Sequence, residues 1–408
     1  MIFLLESPDT LPLSRNLVVF LAGVLIVVFH YVVFVVKKPR LFTGNHELRQ
    51  FLETHVPTHK ESYKPPILLQ SGILQTVLSV PFRPGFSKKL NLQREVFSFR
   101  DGGEAALDIV LPDNCDNLEN GKESLVVLIL PASFCTTKTT IVTALVQAVV
   151  NSGCTAVVLN YRGACGIQFK SPKFNTFADC DDVAEVIPYL KKKFSSSRLM
   201  AIGQSAGGMV LAKYIRENQK EAKEYLVTAM MISMGWDMVR GYHNLNAPHF
   251  INRLVIHRQH LSWMKLNAAN MLRYSKQMGE KAWKPTVDYK KAMTSKTIYD
   301  FDQHLLVPQF EYESVKHYWQ DASSRGNVLK FSIPVFCLNA EDDPATPGKL
   351  LPYEEAEDSN SKLALLVTSK GGHNGFLEGM IQRPEHFVER LVREYVTAVR
   401  THGHELPQ

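Results

Sequence analysis

Gly203-Gln204-Ser205-Ala206-Gly207-Gly208 constrains this chain more than any other stretch, because it joins the compact apolar run Arg198 to Ile202 directly to a helix-like run, Gly207 to Asn218. A serine with glycine two residues away on each side fits an elbow in which the turn forces unusual backbone angles and brings neighbouring backbone too close for side chains. The serine oxygen is thereby lifted clear of the sheet. The amide of Ala206 falls at the helix start, where an unpaired N–H can donate to a developing oxyanion. The same five-residue pattern also arises in glycine-rich helix starts that serve only packing, so its meaning rests on what surrounds it.

What surrounds it is alternation. Strand-like runs Leu125 to Leu130, Thr155 to Asn160, Arg198 to Ile202 and Leu226 to Ile232 take turns with helix-like runs Thr139 to Ser152, Asp179 to Phe194 and Gly207 to Asn218, which implies a parallel sheet covered on both faces. Glu95 to Phe99 and Ala105 to Leu111 flank Asp101-Gly102-Gly103 and read as an antiparallel hairpin at its start. From about residue 235 to 326 the alternation stops, and bulky apolar residues recur at helical spacings (Phe250, Leu254, Leu261, Met264, Met271), which predicts a helical insertion or cap. Strands Pro334 to Asn339 and Leu363 to Thr368 and a closing helix from Glu385 to about Arg400 resume the pattern.

Ahead of all this, Leu17 to Val36 is twenty residues without a formal charge, long enough at the helical rise to cross a bilayer core of about 30 Å. It runs into Lys37-Lys38-Pro39-Arg40 rather than a small-residue cleavage site, which favours an anchor over a signal peptide. Arg15 before the span against Lys37, Lys38 and Arg40 after it predicts that the C-terminal bulk faces the cytosol. The expected division is an anchor over 1–45 and a catalytic domain over 46–408. Within the latter, His46 to about Arg94 reads as a packed, Pro-punctuated arm between membrane and domain, with no legible function.

Composition excludes several classes. A net charge of +6 spread among alternating signs argues against a nucleic-acid partner. Six cysteines with no CxxC pair, and no Asn-x-Ser/Thr acceptor, favour a reduced compartment. There is neither a metal-ligand cluster nor a Gly-x-x-x-x-Gly-Lys phosphate loop, so no cofactor is expected.

A serine hydroxyl needs a base to take its proton, and the base needs an acid to fix its tautomer. In a parallel sheet both belong beyond the carboxyl ends of strands. After the strand ending at Asn339 comes Ala340-Glu341-Asp342-Asp343-Pro344-Ala345-Thr346-Pro347, and after the strand ending at Thr368 comes Gly371-Gly372-His373-Asn374-Gly375. His373 is the one histidine of fourteen in a glycine-bracketed loop after a late strand. Asp343 is the preferred acid, since Pro347 four residues on resembles the usual acid-loop pattern of serine hydrolases of this kind, with Asp342 as the fallback. The second oxyanion donor is expected from the loop Pro131-Ala132-Ser133-Phe134-Cys135, where Ser133 and Cys135 also admit a nucleophilic reading but lack a local base.

Together Val36-Lys37-Lys38-Pro39-Arg40-Leu41, Asn160-Tyr161-Arg162-Gly163, Gly203 to Met209, Tyr318-Trp319-Gln320-Asp321-Ala322-Ser323, Leu338 to Asp343 and Thr368 to Phe376 resemble the membrane-anchored α/β-hydrolase-domain-containing proteins 1, 2 and 3, a lipase-like family. The resemblance runs nearly end to end. It implies an α/β-hydrolase fold with a cap, a triad of Ser205, Asp343 and His373 in the order serine, acid, histidine, oxyanion amides from Ala206 and Ser133, and ester hydrolysis on lipids of the bilayer, phospholipid cleavage being described for member 3. An inactive scaffold of the same fold is the competing expectation. A lysolipid acyltransferase would need His-x-x-x-x-Asp, which no histidine here supplies. The chain departs from the family in two places: Ala206 stands where methionine is usual, and Pro-Ala-Ser-Phe-Cys replaces Pro-Gly-Leu-Thr-Gly. Loss of both glycines leads us to expect a stiffer oxyanion loop.

Overall fold

The computed structural model describes residues 15–83, 91–112, 124–245, 258–278, 287–379 and 385–407. Its centre is a nine-stranded sheet ordered β1-β9-β8-β7-β6-β4-β5-β3-β2. In chain order the strands are β1 Arg40–Phe42, β2 Leu92–Ser98, β3 Glu104–Val110, β4 Leu125–Leu130, β5 Thr155–Asn160, β6 Arg198–Gln204, β7 Ala229–Ile232, β8 Val335–Ala340 and β9 Leu363–Thr368. From β5 through β4, β6, β7 and β8 to β9 every pairing is parallel. The antiparallel pairings are β2 with β3, β3 with β5, and β1 with β9. Strands β4, β5 and β9 are buried at every position, as continuous Val/Leu/Ile runs covered on both faces must be.

One face packs on α4 Thr140–Asn151 and α15 Phe387–His402, together with α2 His46–His55. The other packs on α5 Asp181–Lys193, α6 Ala206–Glu217 and α7 Gln219–Tyr225. Local sequence explains these helices. In α5 two aspartates open the first turn and three lysines close the last, complementing the helix dipole. In α15 His386 and Glu389 form a reciprocal capping box. Between β7 and β8 the described elements are helices: α8 Met238–Leu245, α9 Arg258–Met278, α10 Tyr289–Thr294, α11 Ile298–His304, α12 Leu306–Gln309 and α13 Val315–Ala322, with a 3-10 turn over Val328–Lys330. Phe250 and Leu254, part of the sequence argument for this cap, lie outside the described residues. The short α14 Tyr353–Glu357 precedes β9.

At the N-terminus α1 Arg15–His30 continues as a π-turn over Tyr31–Val35. Asn16–Val35 is long and apolar enough to cross a membrane, with mean hydropathy 2.8, and almost none of it is buried.

The segment expected to be anchor contains a strand of the sheet. The chain joins the sheet at Arg40–Phe42, inside the segment assigned wholly to an anchor, because β1 completes the edge of β9. The arm is packed on the domain, as read from the sequence. Leu48, Phe51 and Leu52 bury the inner face of α2, and α3 Gly72–Leu78 packs against the loop that carries His373.

Candidate active site

Three loops at the carboxyl end of the sheet converge. Ser205 follows β6 with φ 51° and ψ −115°, a conformation foreign to ordinary side-chain-bearing residues that persists only where surroundings impose it. Its amide is held by Ile232 O at 2.8 Å. Gly207 shows why the elbow needs glycine: a Cβ there would lie 2.1 Å from Leu130 O. Strand, turn and helix are therefore forced into the contact that lifts Ser205 above the sheet.

His373 Nε2 lies 2.7 Å from Ser205 Oγ, and His373 Nδ1 donates to Asp343 Oδ2 at 2.8 Å. The acid is oriented in turn. Asp343 Oδ1 accepts the amides of Ala345 at 2.7 Å and Thr346 at 3.0 Å, and its side chain is fully buried. Asp342 points elsewhere: its Oδ1 accepts the Gly372 amide at 2.9 Å. Burial pushes the Asp342 carboxyl up to about 6 against the opposing pull of the Gly372 amide and Lys370. For His373, burial lowers the pKa, but the charge and hydrogen bond of Asp343 outweigh it, so the imidazole ends above its ordinary value.

Several residues that hold this arrangement escaped the sequence reading. Thr76 Oγ1 of α3 accepts the His373 amide at 2.8 Å and donates to Gly72 O at 2.7 Å. Ser233 Oγ accepts the Asn374 amide at 2.9 Å. Gln75 Oε1 accepts from Leu377 N, and the Tyr63 hydroxyl donates to Leu377 O. Gly372, at φ 61°, sits so close to α3 that a Cβ would lie 2.1 Å from Gly72 O. None of these partners carries a motif signal, since each bond spans hundreds of residues or joins unremarkable polar side chains.

A family model described as the alpha/beta hydrolase fold matches residues 128–380. The chain belongs to the α/β-hydrolase family. Phospholipase ABHD3 of Homo sapiens is 31% identical over 382 residues, covering 93% of this chain and 89% of its own. Protein abhd-3.2 of Caenorhabditis elegans is 24% identical, covering 94% and 97%. Monoacylglycerol lipase ABHD2 of Homo sapiens is 23% identical, covering 88% and 85%.

Beside the hydrolase elbow, Ala206 opens α6, where first-turn amides have no partner within the helix. Ser133 and Ala206 both line a cavity of about 850 Å³ that runs under the cap. Val77 and Val80 from the arm form one apolar wall, Trp263 and Leu266 of α9 another. At the polar wall Arg162 is fixed by Asp182 and Asp101 and lies over the Phe99 ring at 4.2 Å, which gives the Asn-Tyr-Arg-Gly motif a structural role.

The altered loop after β4 keeps the turn by other means. Its left-handed residue is Phe134, at φ 63°, and neither Ala132 nor Cys135 adopts a positive φ. Phe134 stacks on Trp263 with centroids 6.0 Å apart and meets His260 edge-on at 5.1 Å. Cys135 N closes the turn on Ala132 O at 3.0 Å. The backbone thus makes no use of glycine freedom at 132 and 135. Ala132→Gly with Cys135→Gly is accordingly expected to leave turnover level or lower it by loosening the loop. A severalfold gain in kcat would restore the stiff-loop expectation.

Proposed function

We propose that the chain is a serine hydrolase that cleaves carboxylic esters of membrane lipids, anchored to the bilayer by the helix ending at Val35. The observation that carries this reading is the unbroken chain Asp343, His373, Ser205, next in sequence to Ala206, which with Ser133 lines an apolar-walled cavity. The relatives named phospholipase and monoacylglycerol lipase agree in substrate class. In this reading Ser205 Oγ attacks the ester carbonyl while His373 Nε2 takes its proton, and the amides of Ala206 and Ser133 receive the oxyanion. His373 returns the proton to the departing alcohol, leaving an acyl group on Ser205. Water then attacks by the same route and releases the fatty acid. Asp343 holds the tautomer and stabilises the imidazolium.

The test is direct: full-length protein is assayed against phospholipids, monoacylglycerols and a short soluble ester, with fluorophosphonate labelling of the active serine. Protein that neither labels nor releases acid from any of these esters would favour the scaffold.

His373 also sets the pH profile. It must be neutral to act, and its pKa is raised, so the acidic limb of kcat/KM is expected above 6.5, the ordinary imidazole value. Asp343→Asn removes the group that raises it and leaves burial, which lowers it. The residual activity of that variant should persist to lower pH than the parent's. A limb that stays put would mean another group titrates.

For the anchor, deletion of 1–39 keeps β1 and removes the apolar helix. The shortened protein is expected in the alkaline-extractable rather than the integral membrane fraction, with soluble-ester hydrolysis retained. Retention in the integral fraction would count against α1 as the span.

A further inference from the structure

We propose that the outer face of the arm from Pro65 to Phe82 is seated in the bilayer interface and forms the lipid-facing lip of the cavity. The inference rests on α1 being the membrane span. Residues 65–82 contain no Asp, Glu, Lys or Arg, although the segment lies at the protein surface. Five of its apolar side chains point outward: Leu68 is 78% exposed, Ile67 45%, Leu74 and Val80 43% each and Val77 39%. A water-facing arm of eighteen residues without a charge would be unusual, whereas hydrocarbon excludes charge.

Depth is fixed by the anchor. The Tyr31 hydroxyl donates to Pro65 O at 2.7 Å, and Tyr31 lies four residues before the end of the apolar span at Val35. At the helical rise that is about 6 Å inside the span's end. Pro65 therefore meets the span at the level where it is still apolar, and Ile67 and Leu68 follow two and three residues later. Tyr63 N, donating to Lys37 O at 2.9 Å, ties the chain just outside that level. Tyrosine belongs at such a boundary.

The seated face leads to the cavity. Val77 and Val80 are both exposed and cavity-lining, and across the opening so are Trp263, 43% exposed, and Leu266, 51% exposed. Apolar side chains thus border the cavity on its lipid-facing side, and the cavity reaches Ala206, the residue after Ser205. The inner face of the same short helix, through Thr76 and Gln75, holds the backbone of the His373 loop.

The experiment uses full-length protein in phosphatidylcholine vesicles. Leu68→Trp is expected to be quenched by lipids brominated on their acyl chains, beyond the quenching of the parent. Ile67→Asp with Leu68→Asp, and Leu74→Asp separately, should slow hydrolysis of a vesicle-embedded long-chain ester by about tenfold or more, equal to about 1.4 kcal/mol, with the short soluble ester unaffected. The proposal is overturned if the added tryptophan is quenched only by a water-soluble agent, if both esters slow together, or if the aspartates instead dissolve a dimer, which would assign the face to a second copy. Alkaline extraction of the parent keeps the readings apart: release of the parent would sink the anchor, whereas an extraction-resistant parent with no acyl-chain quenching would sink the seating alone. A parent inactive on both esters would refute the catalytic reading and leave the quenching result to decide this one.

Discussion

Ser205→Ala is expected to abolish fluorophosphonate labelling and to lower ester turnover by about 10⁶, the scale on which removal of a triad nucleophile acts. His373→Ala should do comparable damage, because without a base the hydroxyl keeps its proton. Asp343→Asn is expected to cost less, roughly 10⁴, since nucleophile and oxyanion amides survive and only the tautomer is lost. Its neighbour discriminates between structure and accident. Asp342→Asn keeps an acceptor for the Gly372 amide and removes a carboxyl that burial already holds near 6, so its effect should be about twofold, near 0.5 kcal/mol. A loss at Asp342 as large as that at Asp343 would break the assignment of the acid.

The elbow was legible because its chemistry is local. Glycine spacing, the strand before it and the helix after it lie within about twenty residues, and β6 and α6 fall at Arg198–Gln204 and Ala206–Glu217, within two residues of their expected bounds. The loops after β8 and β9 were legible for the same reason, each being a short polar stretch behind an apolar run. The strands gave their pairing class away through composition, since β4, β5 and β9 are too uniformly apolar for a sheet with a wet face.

The arm was not legible, and the cause is distance. Thr76 and His373 are separated by 297 positions, and a threonine in an uncharged stretch gives no sign of which backbone amide it will accept. The three-residue β1 is too short for a periodic signal and exists because β9 offers it an edge. Counting glycines did not locate the left-handed position of the loop after β4. The strained position is Phe134, whose left-handed backbone is stabilised by a stack on Trp263, a residue of the cap far along the chain.

Arg83→Met is expected to destabilise the protein by about 3–5 kcal/mol, the cost of leaving one member of a buried ion pair alone. Arg83 Nε donates to Glu389 Oε1 at 2.7 Å, and the two side chains are 0% and 3% exposed. Burial alone would raise the Glu389 carboxyl. Arg83, with His386, overrides this and holds it below the usual carboxylate range. A folded pKa below the unfolded value contributes stability that is present above the unfolded pKa and is lost as pH falls through the folded one. In Arg83→Met the sign reverses, because burial then dominates and Glu389 protonates more easily folded than unfolded. The gap between parent and variant in denaturant midpoint should therefore be widest at neutral pH and narrow on acidification. Adding Glu389→Gln removes the stranded charge, keeps an acceptor for the His386 amide, and should recover most of the midpoint. Activity is not expected to recover with it. Arg83 also donates to Gly375 O in the loop after His373 and to Ser79 O just beyond α3, so the double variant should be stable yet slow. Equal midpoint losses at neutral and acidic pH would show that the guanidinium acts by packing alone.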